Sequence, residues 1–245
     1  MVGIEIRNLT KSYRIEGGTL DVFRGLNLAL ESGTITVVVG RSGCGKTTLL
    51  RLVGGLEHSD GGEIRFNCPE KTAYVFQEPR LMPWLNVRDN IQFGLKHQDI
   101  DPDETQRIIA TVGLSGFEKA YPAQLSGGMQ QRVAMARALA VKPSFIMMDE
   151  PFAALDHFTR ESMQQELLRV HHETGASILF VTHAIDEALV LADRIVLLSS
   201  GVAAADYPLP EPQPRDLMGD RLIGLRRDIV AALGTTKEFH PPKSG

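Results

Sequence analysis

Four continuous apolar runs organise the chain: "TVVVG" (36–40), "FIMMD" (145–149), "SILFV" (177–181) and "RIVLLS" (194–199). Runs of this length without alternation are what strands buried on both faces of a parallel sheet look like. Other stretches alternate instead. Residues 2–8, "VGIEIRN", read as a half-buried strand, and "GEIRF" (62–66) with "TAYVF" (72–76) supply two more, together predicting an antiparallel edge. Between Trp84 and Val141 no strong strand pattern occurs, whereas "DETQRIIATVGL" and "GGMQQRVAMARALA" carry apolar residues at helical spacing. A helical insertion over about 86–140 is therefore expected within an α/β frame.

After Ser200 the composition changes. "YPLPEPQPRD" places four prolines between 208 and 214, which predicts an extended linker. A short amphipathic helix, "DRLIGLRRDIVAALG", follows to Gly234, and the last residues are expected to fray. No internal repeat is visible.

Length and composition narrow the reading. At 245 residues the chain can bury one sizeable core and carry an inserted subdomain, and 43% hydrophobic with 23% charged residues is ordinary for a globular protein. The net charge is −4, with Lys and Arg scattered, so no nucleic-acid partner is expected. The apolar runs fall short of the roughly 20 residues that span a membrane, and "MVGIEIRNL" does not read as a signal peptide. Cys44 and Cys68 have neither metal-ligand spacing nor the density of a disulfide scaffold, which fits a reducing cytoplasm.

The chemistry starts with "GRSGCGKTT" (40–48), which follows one apolar run and precedes the helical "LLRLVGGL". That is the context of a phosphate-binding loop. Gly40, Gly43 and Gly45 let backbone N–H groups turn inward around a phosphate, and the helix N-terminus adds a favourable dipole. Lys46 is placed to reach the β- and γ-phosphates and the Thr47 hydroxyl to ligate Mg²⁺. The whole loop is expected to bind nucleotide: Gly40, Arg41, Ser42, Gly43, Cys44, Gly45, Lys46, Thr47 and Thr48. Cys44 takes part through its backbone, having no base or metal partner nearby in sequence.

"FIMMDEP" ends an apolar strand in two acids. Asp149 at the strand tip is expected to hold Mg²⁺ and Glu150 to face a water attacking the γ-phosphate. In "FVTHA", His183 lies just past another buried strand, which puts it at the same carboxyl edge of the sheet. An imidazole there can hydrogen-bond the γ-phosphate and orient the water. His171 and His172, without a third ligand, read as solvated surface. "LSGGMQQR" (125–132) is a second helix start suited to an anion: Ser126 is a natural N-cap, and Gly127 and Gly128 let a ligand approach the first-turn N–H groups. Taken alone it is equally an ordinary capped helix.

Taken in order, the phosphate loop, "LSGGM", the Asp149–Glu150 pair and His183 resemble the ATP-binding subunit of an ABC transporter over about residues 1–205. The resemblance implies a P-loop NTPase core, mainly parallel sheet, with an antiparallel β subdomain and the inserted α-helical subdomain. Residues 1–206 would then form the ATPase domain, and 207–245 a proline-rich linker with a helical tail. In that family two subunits face each other head to tail, each ATP being gripped by the phosphate loop of one and the serine–glycine motif of the other. This accounts for two phosphate-seeking helix starts in one chain. The resemblance further implies that Tyr13, in "KSYRI", stacks on adenine. Gln77, in "VFQEP", contacts Mg²⁺ and the attacking water, and Asp156, in "AALD", communicates across the dimer. Met129 stands where the family's common form has glutamine; contacts from the Ser126 hydroxyl and the Gly128 amide do not depend on it.

"EPRLMPWLNVRDNI" (78–91), with the only tryptophan, Trp84, corresponds to the region framing the groove for a short helix of the membrane subunits. This stretch, the phosphate loop and the tail resemble ATPase subunits of bacterial importers for nitrate, taurine and aliphatic sulfonates. The implied partners are a second ATPase subunit, two transmembrane permease subunits and an extracytoplasmic solute-binding protein. The implied location is the cytoplasmic face of the plasma membrane, peripherally bound. A related importer, for example of a thiamine-precursor pyrimidine, is the alternative. A non-transport ABC ATPase commonly carries a long coiled-coil insertion or tandem ATPase domains, neither of which is seen. A phosphoryl-transfer kinase leaves "LSGGM" unexplained.

Overall fold

The computed structural model describes residues 2–16, 18–67, 71–213 and 215–235. Cys68 and the expected frayed end beyond residue 235 lie outside them. The chain divides into two compact units, one of Met1–Pro69 with Ser177–Gly245, the other Glu70–Ala176.

In the first unit, β1 (Val2–Ile15) pairs antiparallel with β2 (Gly18–Glu31) and with β4 (Gly61–Phe66), giving the order β2-β1-β4. Register follows alternation: Ile4 opposes Leu30, Ile6 opposes Leu28 and Leu9 opposes Leu26, and all six are buried on one face. β1 is longer than the expected 2–8. The 14-residue β2 was not anticipated, although "LNLALE" within it alternates apolar and polar positions.

The same unit contains β3 (Ile35–Val39), flanked in parallel by β7 (Ser177–Thr182) and β8 (Arg194–Ser199); β9 (Val202–Pro208) returns antiparallel beside β8. Every residue of β3 and β7 is buried, because helices cover this sheet. α1 (Lys46–Val53) packs on β7, and α6 (Ile185–Leu191) packs on β3 and β7. α7 (Asp220–Thr235) packs on α6 and β8, burying Leu222 and Ile229. The proline-rich stretch begins inside β9, and its Leu209 is 3% exposed.

In the second unit β5 (Thr72–Val75) lies beside β6 (Phe145–Asp149), in register from Thr72 opposite Phe145 to Val75 opposite Met148. The pairing is parallel, so "TAYVF" does not belong to the antiparallel edge expected for it. Its alternation reflects partial cover, with Ala73 and Val75 buried and Tyr74 half-buried. Hydrogen bonding to a collinear neighbour, not the pattern, sets strand direction. Between the strands run α2 (Val87–Gln92), α3 (Pro102–Thr111) and α4 (Gly127–Ala140), packed on one another, followed by α5 (His157–Thr174) after β6. Of these, α2, α3 and α4 lie within the 86–140 region expected to be a helical insertion, and α5 lies beyond it. Asn86, Asp101, Ser126 and Asp156 each cap the helix that follows with a side-chain oxygen.

Candidate functional site

β3 ends at Val39 and the chain turns through Gly40–Gly45 into α1. Gly40 passes so close to β8 that a Cβ there would stand 2.5 Å from the Leu198 carbonyl oxygen and 2.5 Å from the Cys44 Sγ. Gly43 and Gly45 have φ of +80° and +105°, and a Cβ on Gly45 would also meet Val22 Cγ1 at 2.8 Å. The loop thus takes a path that side chains at these positions would not permit. The N-cap of α1 is Gly45, which offers no side chain, so the first-turn N–H groups have no side-chain cap of their own. A helix start left open in this way is the kind of place that suits a phosphate. The Lys46 side chain folds back over the loop, Nζ donating to the carbonyls of Gly40 at 2.8 Å and Arg41 at 3.2 Å. The ammonium is therefore held at the loop by backbone carbonyls. Burial pushes the Cys44 thiol upward, away from thiolate chemistry.

Val39 is in register with Thr182, so Gly40 and His183 each lie one residue past the same pair, at one edge of the sheet. His183 is exposed. The turn that carries it is fixed from beneath. The Thr182 hydroxyl donates to Glu187 Oε2 at 2.7 Å and accepts from the Ala184 N–H at 3.0 Å.

In the second unit, Val75 is in register with Met148, so Gln77 and Glu150 each lie two residues beyond that pair, also at one strand edge. Asp149 is buried as the last residue of β6, whereas Glu150 turns away with φ +44°, a left-handed conformation uncommon for a side chain of its size. Two adjacent acids thereby face different surroundings. Such strain collects where function holds a residue in place. Gln77 is exposed.

Ser126 caps α4, its Oγ accepting from the Met129 N–H at 3.3 Å. The contact is to a backbone amide, so the side chain at 129 does not alter it. A Cβ on Gly128 would press on Leu155 at 3.2 Å, next to Asp156. Asp156 caps α5 and its carboxyl is held low by the Thr159 hydroxyl and N–H, while its charge is felt by Arg132 of α4. The serine–glycine helix start and Asp156 are thus neighbours. Two residues not anticipated bind α4 to the segment after β5. Gln131, 1% exposed, donates to the Phe76 carbonyl at 3.1 Å; Arg137 donates to those of Pro79 at 3.0 Å and Arg80 at 2.9 Å. Polar residues on the buried face of an otherwise apolar helix are the only sequence signal for them.

The ABC transporter family model matches residues 23–153. An ABC transporter ATP-binding protein of Methanocaldococcus jannaschii is 40% identical over 244 residues, 95% of this chain and 91% of that protein. The aliphatic sulfonates import ATP-binding protein SsuB of Bacillus thuringiensis subsp. konkukian is 44% identical over 204 residues, covering 80% of this chain and 81% of the relative. The corresponding SsuB 1 of Rhizobium johnstonii is 42% identical over 247 residues, covering 97% and 88%. The chain belongs to the ABC transporter family. Among solved structures, a dimeric ATP-binding cassette in a post-hydrolysis state with ADP and Pi superposes with a TM-score of 0.78 at 29% identity, covering 85% of this chain and 100% of that one. The fold is the α/β phosphate-loop NTPase fold, and the family's members hydrolyse ATP to drive transport.

In this ABC chain Tyr13 is half-buried on β1, with its hydroxyl donating to Glu57, which pairs with Arg51 of α1 at 3.2 Å. Burial and then the Glu57 hydrogen bond raise the phenol's pKa, so it stays protonated. Lys11 Nζ lies 5.1 Å from the ring centroid. Trp84 is 69% exposed on the segment before α2. That segment is pinned by Asn90, fully buried, which accepts from the Met82 N–H at 2.8 Å and donates to the carbonyls of Met82, Leu85 and Asn86 at 3.1, 2.9 and 3.0 Å. Of the two histidines read as surface, His171 is buried, its Nδ1 2.8 Å from the Ala176 oxygen; the structure corrects that expectation for His171. Its imidazole satisfies a backbone carbonyl at the end of α5, a role invisible without knowing which face of the helix is covered. Among the described residues no helix is long and apolar enough to cross a membrane.

Proposed function

We propose that this chain is the ATP-hydrolysing subunit of an importer for aliphatic sulfonates, acting as a homodimer bound to two permease subunits at the cytoplasmic face of the membrane. An extracytoplasmic binding protein would deliver the solute. The observation that carries this reading is the 42–44% identity, over most of the chain, to ATP-binding proteins of aliphatic sulfonate import. Nitrate and taurine are the neighbouring solutes to include in a test. Import of a thiamine-precursor pyrimidine, or an ATPase role outside transport, has no comparable support.

In the proposed cycle the loop Gly40–Thr48 holds the ATP phosphates through backbone N–H groups, with Lys46 on the β- and γ-phosphates. Tyr13 carries the adenine. Ser126, Gly127 and Gly128 of the second copy present the start of α4 to the same γ-phosphate, and Asp156 links the two copies. Glu150 orients a water for in-line attack on the γ-phosphorus and takes its proton as the bond to the bridging oxygen breaks. His183 hydrogen-bonds the γ-phosphate and Gln77 the water. The Thr47 hydroxyl, the Asp149 carboxylate and the Gln77 amide oxygen would supply hard oxygens with one carboxylate, donors that suit Mg²⁺, an ion that keeps waters and phosphate oxygens in its shell. When bound, Mg²⁺ supplies charge neutralisation on the phosphates. ATP-driven closure of the dimer and its reopening on product release would move the permease.

Deletion of the gene should abolish uptake of alkanesulfonates and growth on them as sole sulfur source, with restoration by the intact chain. Unchanged sulfonate uptake together with lost nitrate or taurine uptake would reassign the solute.

A further inference from the structure

α6 is seven residues long, too short to be stable through its own hydrogen bonds. It nevertheless begins two residues after His183. Its last carbonyls are capped by the tail. Ala188 O is taken by the Ala192 N–H, but the oxygens of Leu189 and Val190 are met by Arg215 Nη1 at 3.3 and 3.5 Å, and that of Leu191 by Gln213 Nε2. A cation at the carboxyl end of a helix is also favoured by the helix dipole. Arg215 is itself 9% exposed, and its Nε and Nη2 donate to the carbonyls of Glu211 at 3.0 Å and Leu209 at 3.1 Å. The guanidinium thus makes four hydrogen bonds to backbone oxygens of two segments and locks one to the other. At the opposite end of α6, Asp186 pairs with Arg226 of α7.

The tail is anchored in turn to the strand that delivers the phosphate loop. Leu209 N–H donates to the Asp193 carbonyl at 2.8 Å, and the Asp193 carboxylate accepts from the Ile35 N–H at 2.7 Å at the start of β3. From α6 the path to the γ-phosphate edge is short. Glu187, buried in the first turns of the helix, accepts from the Thr182 hydroxyl, which in turn receives the Ala184 N–H; these residues bracket His183.

We infer that the tail is a positioning element for hydrolysis: Arg215, with Gln213 and Arg226, clamps α6 at both ends and thereby fixes the turn that presents His183. This rests on the proposed role of His183 at the γ-phosphate. Arg215 is a positioning residue, since it touches only protein. Freeing α6 would let His183 wander from its place while leaving the phosphate loop intact, so turnover should fall and nucleotide affinity should not.

The test is a double-mutant cycle in the full chain with Arg215→Gln and His183→Ala, reading kcat, KM for ATP and ATP binding, with thermal unfolding alongside. The expected result is a roughly tenfold fall in kcat for Arg215→Gln at unchanged KM, since small misplacements of a catalytic group act on this scale. Arg215→Lys should recover part of the loss, and Arg215→Gln should add nothing to His183→Ala. If His183→Ala is nearly inactive while Arg215→Gln turns over normally, or lowers kcat equally in both backgrounds, the clamp is refuted and the histidine's role stands. If His183→Ala hydrolyses ATP at the wild-type rate, the role of His183 itself is refuted. Should Arg215→Gln fail to fold, Gln213→Ala, which removes the Leu191 cap and a 3.3 Å contact to Asp193 Oδ1, carries the same cycle, with unchanged kcat overturning the inference.

Discussion

Glu150 and Asp149 are adjacent, yet one is partly exposed in a left-handed conformation and the other buried at a strand tip. Their chemistry separates because alternation along a strand sends neighbours to opposite sides and the turn after Asp149 redirects the next side chain. Glu150→Gln preserves size and shape while removing the proton acceptor. Steady-state phosphate release should drop by at least about 100-fold with ATP binding intact; wild-type turnover would remove Glu150 from the proposed mechanism. Gly45 illustrates the opposite dependence, on an absent side chain. Gly45→Ala meets Val22 Cγ1 at 2.8 Å and Phe23 Cζ at 3.0 Å with φ at +105°, so a loss of roughly 1–3 kcal/mol in denaturant unfolding is expected from strain, together with weakened nucleotide binding.

Among the elements, the loop between α3 and α4 is tied by one carboxylate. Glu118 Oε1 accepts from Gln106 Nε2 of α3 at 3.0 Å and from the Gly116 N–H at 3.1 Å. The Gln106 hydrogen bond, then backbone N–H groups, hold its pKa at about 2. The folded value lies below the ordinary Glu value of about 4.3, so this contribution is complete above about pH 4.3 and is lost as pH falls through the folded value. Glu118→Gln removes the titration. The melting-temperature gap between wild type and Glu118→Gln should therefore be constant at pH 5–7 and shrink as acid is added; a gap that widens in acid would contradict the assignment. The same physics explains why Asn90, Gln131 and Arg137 matter beyond their size. Each satisfies backbone groups that would otherwise be buried without partners, and leaving one such group unpaired costs about 1–3 kcal/mol.

At the scale of the whole molecule the proposal requires two copies. Ser126 caps α4 through the Met129 amide, yet the Ser126 and Gly127 positions stay exposed, as a surface awaiting the second copy's nucleotide would be. In a Glu150→Gln background, ATP should shift the chain from monomer to dimer in size-exclusion chromatography with light scattering. Adding Ser126→Ala should reverse that shift without weakening ATP binding to the monomer; a collapse of monomer binding would count against the two-copy site. How much of this was legible beforehand depends on the range of the interactions involved. The parallel strands β3, β6, β7 and β8 were readable as apolar runs because burial on both faces removes alternation. The phosphate loop, the Ser126 cap and the Asp149–Glu150 pair were readable because glycine spacing, capping and strand-end acids act within a few residues. The direction of β5 was not, since a strand's neighbours are chosen by the fold. Neither were His171, Asn90, Gln131 and Arg215, whose polar side chains resemble surface residues until packing buries them. The sequence by itself determined the local turns, caps and strand ends on which the proposed phosphate site rests. Only the tertiary structure decided that Arg215, 32 residues after His183, closes the helix beside it, because the backbone oxygens it satisfies come from segments that meet only once the sheet and its covering helices are in place.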